Sequence, residues 1–355
     1  MKRLLLLLAL FLSLSAWAIE QDNDGYYLIG SAADWDEFAA IVLNTNASAN
    51  AIMIADVDLG DDQTRIGDTR GNELGVKYSG TFDGQGHTLT IAYNITGNNM
   101  CAPFTKVNGA TIKNLHVNGT LVTMFCHCAG VIADAYGTTT IENIWVSADI
   151  TSKNTSYDEC AAFVGCKKNG TLIIKDCLFS GSIITINNSI WNGAFLGFID
   201  GENYTTATIT NCLSTGTFNY STDPSNIPNR GTIINSYIKQ FPTSIPEEMQ
   251  CTVEQLADGT IATALQAGRE EEVWVQDTEN GTPMLKIFMH TSSMLGDVNN
   301  DHSVDINDVT DMIDYVLGKP VTPFNEINAN VCDDATIDNN DVTTLINFVL
   351  TGTWE

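Results

Sequence analysis

The sequence predicts a mainly β protein, built as a parallel β-solenoid and followed by a small α-helical module. Two observations predict the solenoid. Short segments rich in β-branched residues recur about every 30 residues, and a second motif recurs between them in the same order. Two acidic loops near the C-terminus, each followed by an apolar stripe with helical spacing, predict the helical module. At 355 residues and 44% hydrophobic composition, the chain can bury the cores of about two domains.

The N-terminal segment has the pattern of a secretory signal peptide. Lys2 and Arg3 precede an apolar run at 4–14, and Ala16 and Ala18 form a small-residue cleavage site. The alternative, a membrane anchor, would need about 20 apolar residues, more than this run supplies. We therefore expect cleavage after Ala18 and a secreted or cell-surface protein whose mature chain does not span a membrane.

The acidic composition argues against two classes of partner. The chain has 43 acidic and 16 basic residues, a net charge of −27 at pH 7. Binding to nucleic acid or to an anionic membrane surface needs a basic patch, and we expect neither. Residues 297–355 contain twelve acidic residues and one basic residue. The excess of negative charge is therefore concentrated in a segment suited to binding cations.

The first repeated motif predicts the coils of the solenoid, in which equivalent residues stack about 4.8 Å apart. Ile112 and Leu115 are three residues apart, so both can face the core only if the chain bends between them. Asn114 is the predicted bend because asparagine tolerates a left-handed backbone, and its amide can bond to the next coil. The same pattern places Cys177 and Cys212 inside; unrelated strands of a sandwich are the alternative. The copies are at 111–115, 140–144, 173–177, 208–212 and 232–236.

The second motif places three side chains in one row along the solenoid. His127, Glu159 and Trp191 each directly precede a copy of this motif. With Trp145, which is predicted to point outward, they form a candidate carbohydrate-contacting surface, because it combines aromatic faces with polar groups. Packing of loops is the alternative interpretation. The copies are at 101–104, 128–131, 160–163 and 192–195, with offsets of 27, 32 and 32 residues.

Several stretches resemble a family of surface proteins. The segment 78–91 and the Ala/Gly-rich pieces at 161–165 and 193–197 resemble right-handed β-helix proteins with GLUG-type repeats. Residues 252–259 resemble the segment that closes such helices in Bacteroidetes-type secreted proteins. The resemblance implies a right-handed parallel β-helix. The predicted organisation is a signal peptide at 1–18, a β-helix at 19–240, a terminal coil or cap with a linker at 241–290, and the helical module at 291–355.

The strongest chemical signal is the C-terminal repeat. Residues 297–318 and 330–351 align without a gap at an offset of 33 residues. Oxygen-bearing residues in the first copy have the spacing with which an EF-hand-like loop surrounds calcium. Hard oxygen ligands without histidine favour calcium over zinc. The predicted ligands are Asp297, Asn299, Asp301, Ser303 through its backbone carbonyl, Asp305 and Asp308, and in the second loop Asn330, Asp334, Thr336, Asp338 and Asp341.

Each loop ends in Asp and leads into one helix without an entering helix, and the pair of units resembles a type I dockerin. The resemblance implies calcium as cofactor and a cohesin-type module as partner, in extracellular polysaccharide-degrading or cell-surface assemblies. His302 and Ala335 replace the glycine at loop position 6. Asn330 and Cys332 replace preferred ligands in the second loop, so we expect it to bind calcium more weakly. The residues implied for partner binding are Ile306, Asn307, Thr310, Asn339, Asn340 and Thr343.

A catalytic β-helix is the alternative function. Polysaccharide hydrolases need paired carboxylic acids, and lyases need a base to take the proton. The solenoid repeats contain no Asp-Asp pair and few basic residues, so we assign no catalytic residue and favour a carbohydrate-binding or adhesin-like module. Cys126, His127 and Cys128 supply too few ligands, at the wrong spacing, for a structural zinc site. Nine cysteines cannot all pair, and mostly reduced thiols are expected.

Overall fold

A computed structural model describes residues 19–71, 74–97, 100–156, 158–186, 191–200, 207–219, 231–240, 245–278, 280–289, 295–299, 304–321, 324–332, 334 and 336–354. The predicted signal peptide lies outside these ranges, as do Asp301 and Ser303 of the first predicted calcium loop. The described chain is mainly β and forms a parallel β-solenoid of about five turns, which confirms the predicted fold class at that level.

A helix covers the N-terminal end of the solenoid. Strands β1 (Tyr27–Ile29) and β2 (Ala51–Met53) pair in parallel, and α1 (Ala32–Asn44) connects them. The α1 side chain Trp35 is fully buried, with its ring centroid 5.9 Å from that of Phe104 in the first coils. The repeat pattern does not predict this helix. Its position has a clear physical reason, because the first coil of a solenoid would otherwise expose its core to water.

The coils consist of short strands that pair in parallel. The predicted register is confirmed, because equivalent isoleucines of five successive strands face one another, from Ile112 through Ile141, Ile174 and Ile209 to Ile233. The coils as a whole are built from β3 (Val57–Asp58), β4 (Thr81–Asp83), β5 (Thr88–Ile95), β6 (Phe104–Asn108), β7 (Thr111–Thr123), β8 (His127–Ala129), β9 (Ile132–Tyr136), β10 (Thr139–Val146), β11 (Asp149–Ser152), β12 (Glu159–Ala161), β13 (Val164–Lys167), β14 (Leu172–Phe179), β15 (Ser182–Thr185), β16 (Leu196–Ile199), β17 (Ala207–Thr210), β18 (Leu213–Ser214), β19 (Thr217–Phe218), β20 (Thr232–Ile234) and β21 (Tyr237–Ile238).

The predicted bend inside the repeated motif is present in five coils. The residue at the bend has a positive φ of 45° to 55° in each of them, a conformation that asparagine tolerates better than most residues. The amide groups also connect the coils. Asn143 Nδ2 donates to Asn114 Oδ1 at 3.1 Å, and Asn235 Nδ2 donates to Asn211 Oδ1 at 2.8 Å. The five bend residues are Asn114, Asn143, Asp176, Asn211 and Asn235.

The interior of the solenoid is a continuous apolar core. Cys177 and Cys212 lie inside it, as predicted from the repeat, and neither is exposed to solvent. All nine cysteines of the chain are free thiols, in agreement with the expectation of reduced cysteines. Eight of them are buried, and the exposed one is Cys332 in the C-terminal module.

The segment after the last coil lies across one outer face of the solenoid. Its elements are α2 (Val253–Ala257), α3 (Thr260–Gln266) and the antiparallel strands β22 (Trp274–Asp277) and β23 (Thr282–Leu285). We call residues 252–289 the side cover. Its apolar side chains form one cluster with outward-facing residues of several coils. That cluster includes Leu178, Leu213, Trp274 and Phe288, with Trp145 and Tyr237 packed against it.

The C-terminal module contains the helix predicted after each acidic loop. Helices α4 (Ile306–Val316) and α6 (Asn339–Thr351) follow the two loops, and a short helix α5 (Glu326–Ala329) lies between them. The two long helices share a small apolar core with the loop segments. That core contains Val298, Val309, Met312, Ala329, Val331 and Leu345.

Candidate functional site

The two helices of the C-terminal module begin with the same arrangement of aspartates. Asp305 caps α4 by accepting a hydrogen bond from the Asn307 amide at 2.7 Å, and Asp308 accepts one from the Asp305 amide at 2.8 Å. Asp338 and Asp341 form the equivalent pair of bonds at the start of α6. Such reciprocal capping satisfies amides that a helix N-terminus leaves unpaired. The sequence repeat is thus also a structural repeat.

The first loop brings two carboxylates into a buried site. Asp308 is fully buried, and Asp297 is 2% exposed. Asp308 Oδ1 accepts hydrogen bonds from the amides of Val298 at 2.8 Å and Asn299 at 3.3 Å. Burial nevertheless raises the pKa of Asp308, and the negative charge of Asp297 raises it further. Two carboxylates that repel each other out of water are an arrangement that a bound cation would stabilise.

The second loop has the same closing contact with poorer ligands. Asp341 is fully buried and accepts a hydrogen bond from the Cys332 amide at 3.0 Å. Asn330 donates its side-chain amide to the Asp334 carbonyl at 2.8 Å and accepts from the Asp334 amide at 3.2 Å. The Asp334 carboxylate accepts from the amide of Thr336 at 2.9 Å. Asn330 and Asp334 therefore already use part of their hydrogen-bonding capacity within the loop.

The donor set of the first loop fits a calcium ion. Every predicted ligand offers an oxygen atom, as calcium requires. In the described part of the module the basic residue Lys319 pairs with Asp314 at 2.6 Å in α4, not with the loop. Asp301 and Ser303, two further predicted ligands, lie outside the described residues.

All six residues implied for partner binding are exposed on the first turns of α4 and α6. Ile306 is 64% exposed, so it presents an apolar side chain to solvent at the start of α4. The three residues on α4 and the three on α6 occupy equivalent positions in the repeat. Thr310 Oγ1 donates to the Ile306 carbonyl at 2.9 Å, and Thr343 Oγ1 donates to the Asn339 carbonyl at 2.8 Å. Asn307 and Asn340 complete the two sets.

The four candidate carbohydrate-contacting residues do not form one surface. His127 and Glu159 are register partners in β8 and β12. Trp191 lies against Phe198, with ring centroids 5.1 Å apart. Trp145 does point out of its coil as predicted, but it stacks on His116 at 3.7 Å and lies under the side cover. Neither tryptophan is an open aromatic platform.

His127 and Glu159 belong to a buried polar cluster. His127 Nδ1 lies 2.5 Å from Asp134 Oδ1 and 3.5 Å from Glu159 Oε2, and the thiol of Cys166 is close by. Burial alone would lower the pKa of His127, but Asp134 in particular reverses this effect and raises the pKa to about 10. Burial raises the pKa of Glu159 and places that of Cys166 well above its usual value. A thiol with a raised pKa is not an activated nucleophile.

Sequence reasoning missed Asp134 and Cys166 as members of this cluster. Each stands seven residues after a residue that it did single out, His127 or Glu159. The sequence signal that could have identified them is this seven-residue spacing, which occurs in two successive repeats. The chain turns between the two positions, and only the folded coil brings them together.

Comparisons with known proteins support the fold and do not extend to activity. No protein-family model matches the chain, and no curated protein matches it in sequence. A crystal structure from Bacteroides ovatus, titled as a "putative immunoglobulin A1 protease", is similar with a TM-score of 0.50 and 16% sequence identity. The match covers 75% of this chain and 94% of that chain. Among the described residues, no helix combines the length and apolar character needed to cross a membrane.

Proposed function

We propose that this is an exported modular protein whose C-terminal module is a calcium-dependent dockerin. It docks on a cohesin-type partner in extracellular polysaccharide-degrading or cell-surface assemblies. The observation that carries the proposal is the structural repeat of two aspartate pairs, Asp305 with Asp308 and Asp338 with Asp341. Each pair caps a helix and ties it to an acidic loop.

Calcium would be held mainly by the first loop. Asp297 and Asp308 are buried there as like charges, so a divalent cation would remove a repulsion that the apo module carries. The ion would supply positive charge that fixes the loop against the start of α4. The second loop would bind calcium more weakly, because Asn330 replaces a carboxylate and its amide is engaged with Asp334.

Docking would use the exposed first turns of α4 and α6. Ile306 offers an apolar contact, while Asn307 and Thr310 offer hydrogen-bonding groups beside it. Asn339, Asn340 and Thr343 repeat the polar part of this pattern on α6. Because calcium would order the loop that precedes each helix, partner binding is expected to depend on calcium.

A pull-down with a panel of type I cohesin modules tests the docking. The bait is the mature chain, residues 19–355, in calcium or in chelator. We expect one or more cohesins to be retained in calcium and released by chelator. An Ile306→Asp and Asn339→Asp double variant should lose binding, while Asn347→Asp, at an exposed position two turns further along α6, should keep it. Retention that ignores the chelator and both surface substitutions would contradict the proposal.

We further propose that the solenoid acts as a carbohydrate-binding or adhesin-like module. The support is the β-solenoid fold together with Trp191, which is half-buried against Phe198 and, of the four predicted residues, is the one outside both the buried cluster and the side cover. A polysaccharide-degrading enzyme is the alternative. The buried cluster around His127 does not favour it, because the neighbouring thiol is held in its neutral form. Glycan-array binding by the mature chain should fall with Trp191→Ala, and unchanged array binding would count against this surface.

A further inference from the structure

The cluster of His127, Asp134, Glu159 and Cys166 has no role in the proposed docking function. Two successive coils build it. His127 in β8 pairs in register with Glu159 in β12, and Asp134 in β9 pairs with Cys166 in β13. Each coil therefore supplies two side chains seven residues apart, His and Asp from one coil and Glu and Cys from the next. Because the two coils stack in register, the four side chains lie together in one compact group.

The reactive atoms of these side chains converge. One ring nitrogen of His127, one carboxylate oxygen of Asp134 and the Sγ atom of Cys166 all lie within 4.8 Å of one another. Glu159 Oε2 lies 3.5 Å from His127 Nδ1. That oxygen is buried and has no hydrogen-bond partner, and Glu159 as a whole is 5% exposed. A buried carboxylate oxygen whose contact with the imidazole is as long as 3.5 Å is poorly compensated for its loss of water, and a cation within the group would improve that compensation.

We propose that these four side chains bind a divalent transition-metal ion of the zinc type. One imidazole nitrogen, one thiolate and two carboxylate oxygens are ligands that zinc accepts in a four-coordinate site. Zinc bonds of about 2.0 to 2.3 Å need ligand atoms roughly 3.3 to 3.8 Å apart. The side chains would therefore move by about 1 Å on binding. The thiolate disfavours calcium and magnesium, which prefer oxygen ligands.

The surroundings suit a closed metal site. At the equivalent positions of the next coil stand Trp191 and Phe198, which pack against each other and close the group on that side. The ring of Phe125 stacks on the imidazole of His127, with centroids 5.1 Å apart and planes 8° apart. An apolar shell of this kind limits access of water and strengthens the bonds to the metal. In the metal-free group the positive charge of Lys168 also acts on Asp134 and Glu159, and its ammonium donates to Asp200 at 3.3 Å.

Without a metal ion, the same four side chains have an arrangement that competes with metal binding. There the protonated imidazole of His127 lies between Asp134 and Glu159 as a buried ion group. Metal binding would release the proton from the His127 nitrogen that becomes a ligand, and the proton from the Cys166 thiol. The two arrangements differ in whether the sulfur bonds to an ion, which a spectrum reports directly.

Cobalt(II) titration of the mature chain tests the proposal. The protein, residues 19–355, is stripped with chelator and titrated in excess calcium, which occupies oxygen-only loops. We expect one equivalent of cobalt to give tetrahedral visible bands and a thiolate-to-cobalt charge-transfer band in the near ultraviolet, both displaced by zinc. Absence of the charge-transfer band would overturn the site.

Two variants assign the ligands. Cys166→Ala should abolish the charge-transfer band, while Cys251→Ala, which removes another buried thiol in the apolar cluster beneath the side cover, should leave it intact. Glu159→Gln keeps the sulfur and preserves the volume of the side chain, so it remains informative if Cys166→Ala does not fold. It should retain the band and weaken cobalt binding by roughly tenfold or more. A band that persists in Cys166→Ala, or unchanged affinity in Glu159→Gln, would contradict the assignment.

Discussion

The Oδ1 atom of Asp308 lies 2.8 Å from the amide nitrogen of Val298, so the residue that ends the first acidic loop also holds its beginning. Asp308 Oδ1 also accepts from the Asn299 amide at 3.3 Å, and the second loop repeats this contact, with Asp341 accepting from the equivalent Cys332 amide at 3.0 Å. In both places the same carboxylate caps a helix. The two closing aspartates therefore connect each loop to the helix that follows it. Bound calcium would add further contacts to this arrangement.

Asp308→Ala should destabilise the C-terminal module even in chelator. The substitution leaves the amides of Val298 and Asp305 without their acceptor, at an expected cost of about 1 to 3 kcal/mol in the free energy of unfolding. The rate of proteolysis within the module measures this. Asp314→Ala is the control, since its ion pair with Lys319 is largely exposed and should contribute less than about 1 kcal/mol. Equal proteolysis of the two variants would argue against a structural role for Asp308.

Substitution at the bend separates backbone strain from the hydrogen bonds between coils. Asn143 has a φ of 52° and donates to Asn114 at 3.1 Å. Asn143→Ala should lose the bond and add left-handed strain, for a loss of about 2 kcal/mol. Asn143→Gly should lose only the bond, because glycine adopts positive φ freely, and should cost about 1 kcal/mol. Urea unfolding of the mature chain measures both, and equal losses would show that strain is negligible.

The side cover should detach when its contact with Asp176 is removed. Asp176 is fully buried at the bend of its coil, and Oδ1 accepts hydrogen bonds from Arg269 at 2.5 Å and from Trp274 Nε1 at 3.3 Å. Arg269→Ala leaves a buried carboxylate without its strongest partner. We expect faster hydrogen exchange across residues 252–289. Lys286→Ala removes only an exposed ion pair with Glu272 and should leave that exchange unchanged.

Stability in acid should depend on Asp68. Hydrogen bonds from Arg70, and further contact with the buried Lys106, lower the pKa of Asp68 to about 2. Because the folded-state pKa is depressed, this contribution is complete above the unfolded-state value near 4 and is lost as the pH falls toward 2.

Asp68→Asn should accordingly lower the free energy of unfolding by about 2 kcal/mol at pH 7. The difference in Tm between this variant and the natural chain should shrink between about pH 4 and pH 2. A Tm difference that stays constant across this range would contradict the assignment.

The parts of the structure that were predicted depend on local, repeated chemistry. Asn114 and its equivalents could be identified because a three-residue apolar spacing requires a bend that asparagine accommodates. The helix α1 and the side cover could not, since they are placed by tertiary packing. Trp145 illustrates this, because its outward direction was predicted correctly, whereas the segment 241–290 was predicted as a terminal coil or cap with a linker and not as a cover over this outer face.

The cluster around His127 was missed for a related reason. Its members meet because the chain bends at Gly130, between His127 and Asp134, and packs closely on the next coil, where an added Cβ atom would lie 2.5 Å from the carbonyl oxygen of Ala162. Residue spacing alone does not specify so close a turn. The predicted equivalence of His127 and Glu159 was correct. Because Asp134 and Cys166 each follow seven residues later, the same equivalence applies to them.

Hydrogen exchange of the mature chain, with calcium and with chelator, reports whether calcium orders the module that contains α4 and α6. We expect calcium to slow amide exchange in residues 306–316 and 339–351, with the larger effect in the first helix, and to leave the solenoid strands unchanged. Asp308→Asn should remove most of the effect on 306–316. Identical exchange in calcium and in chelator would contradict the account.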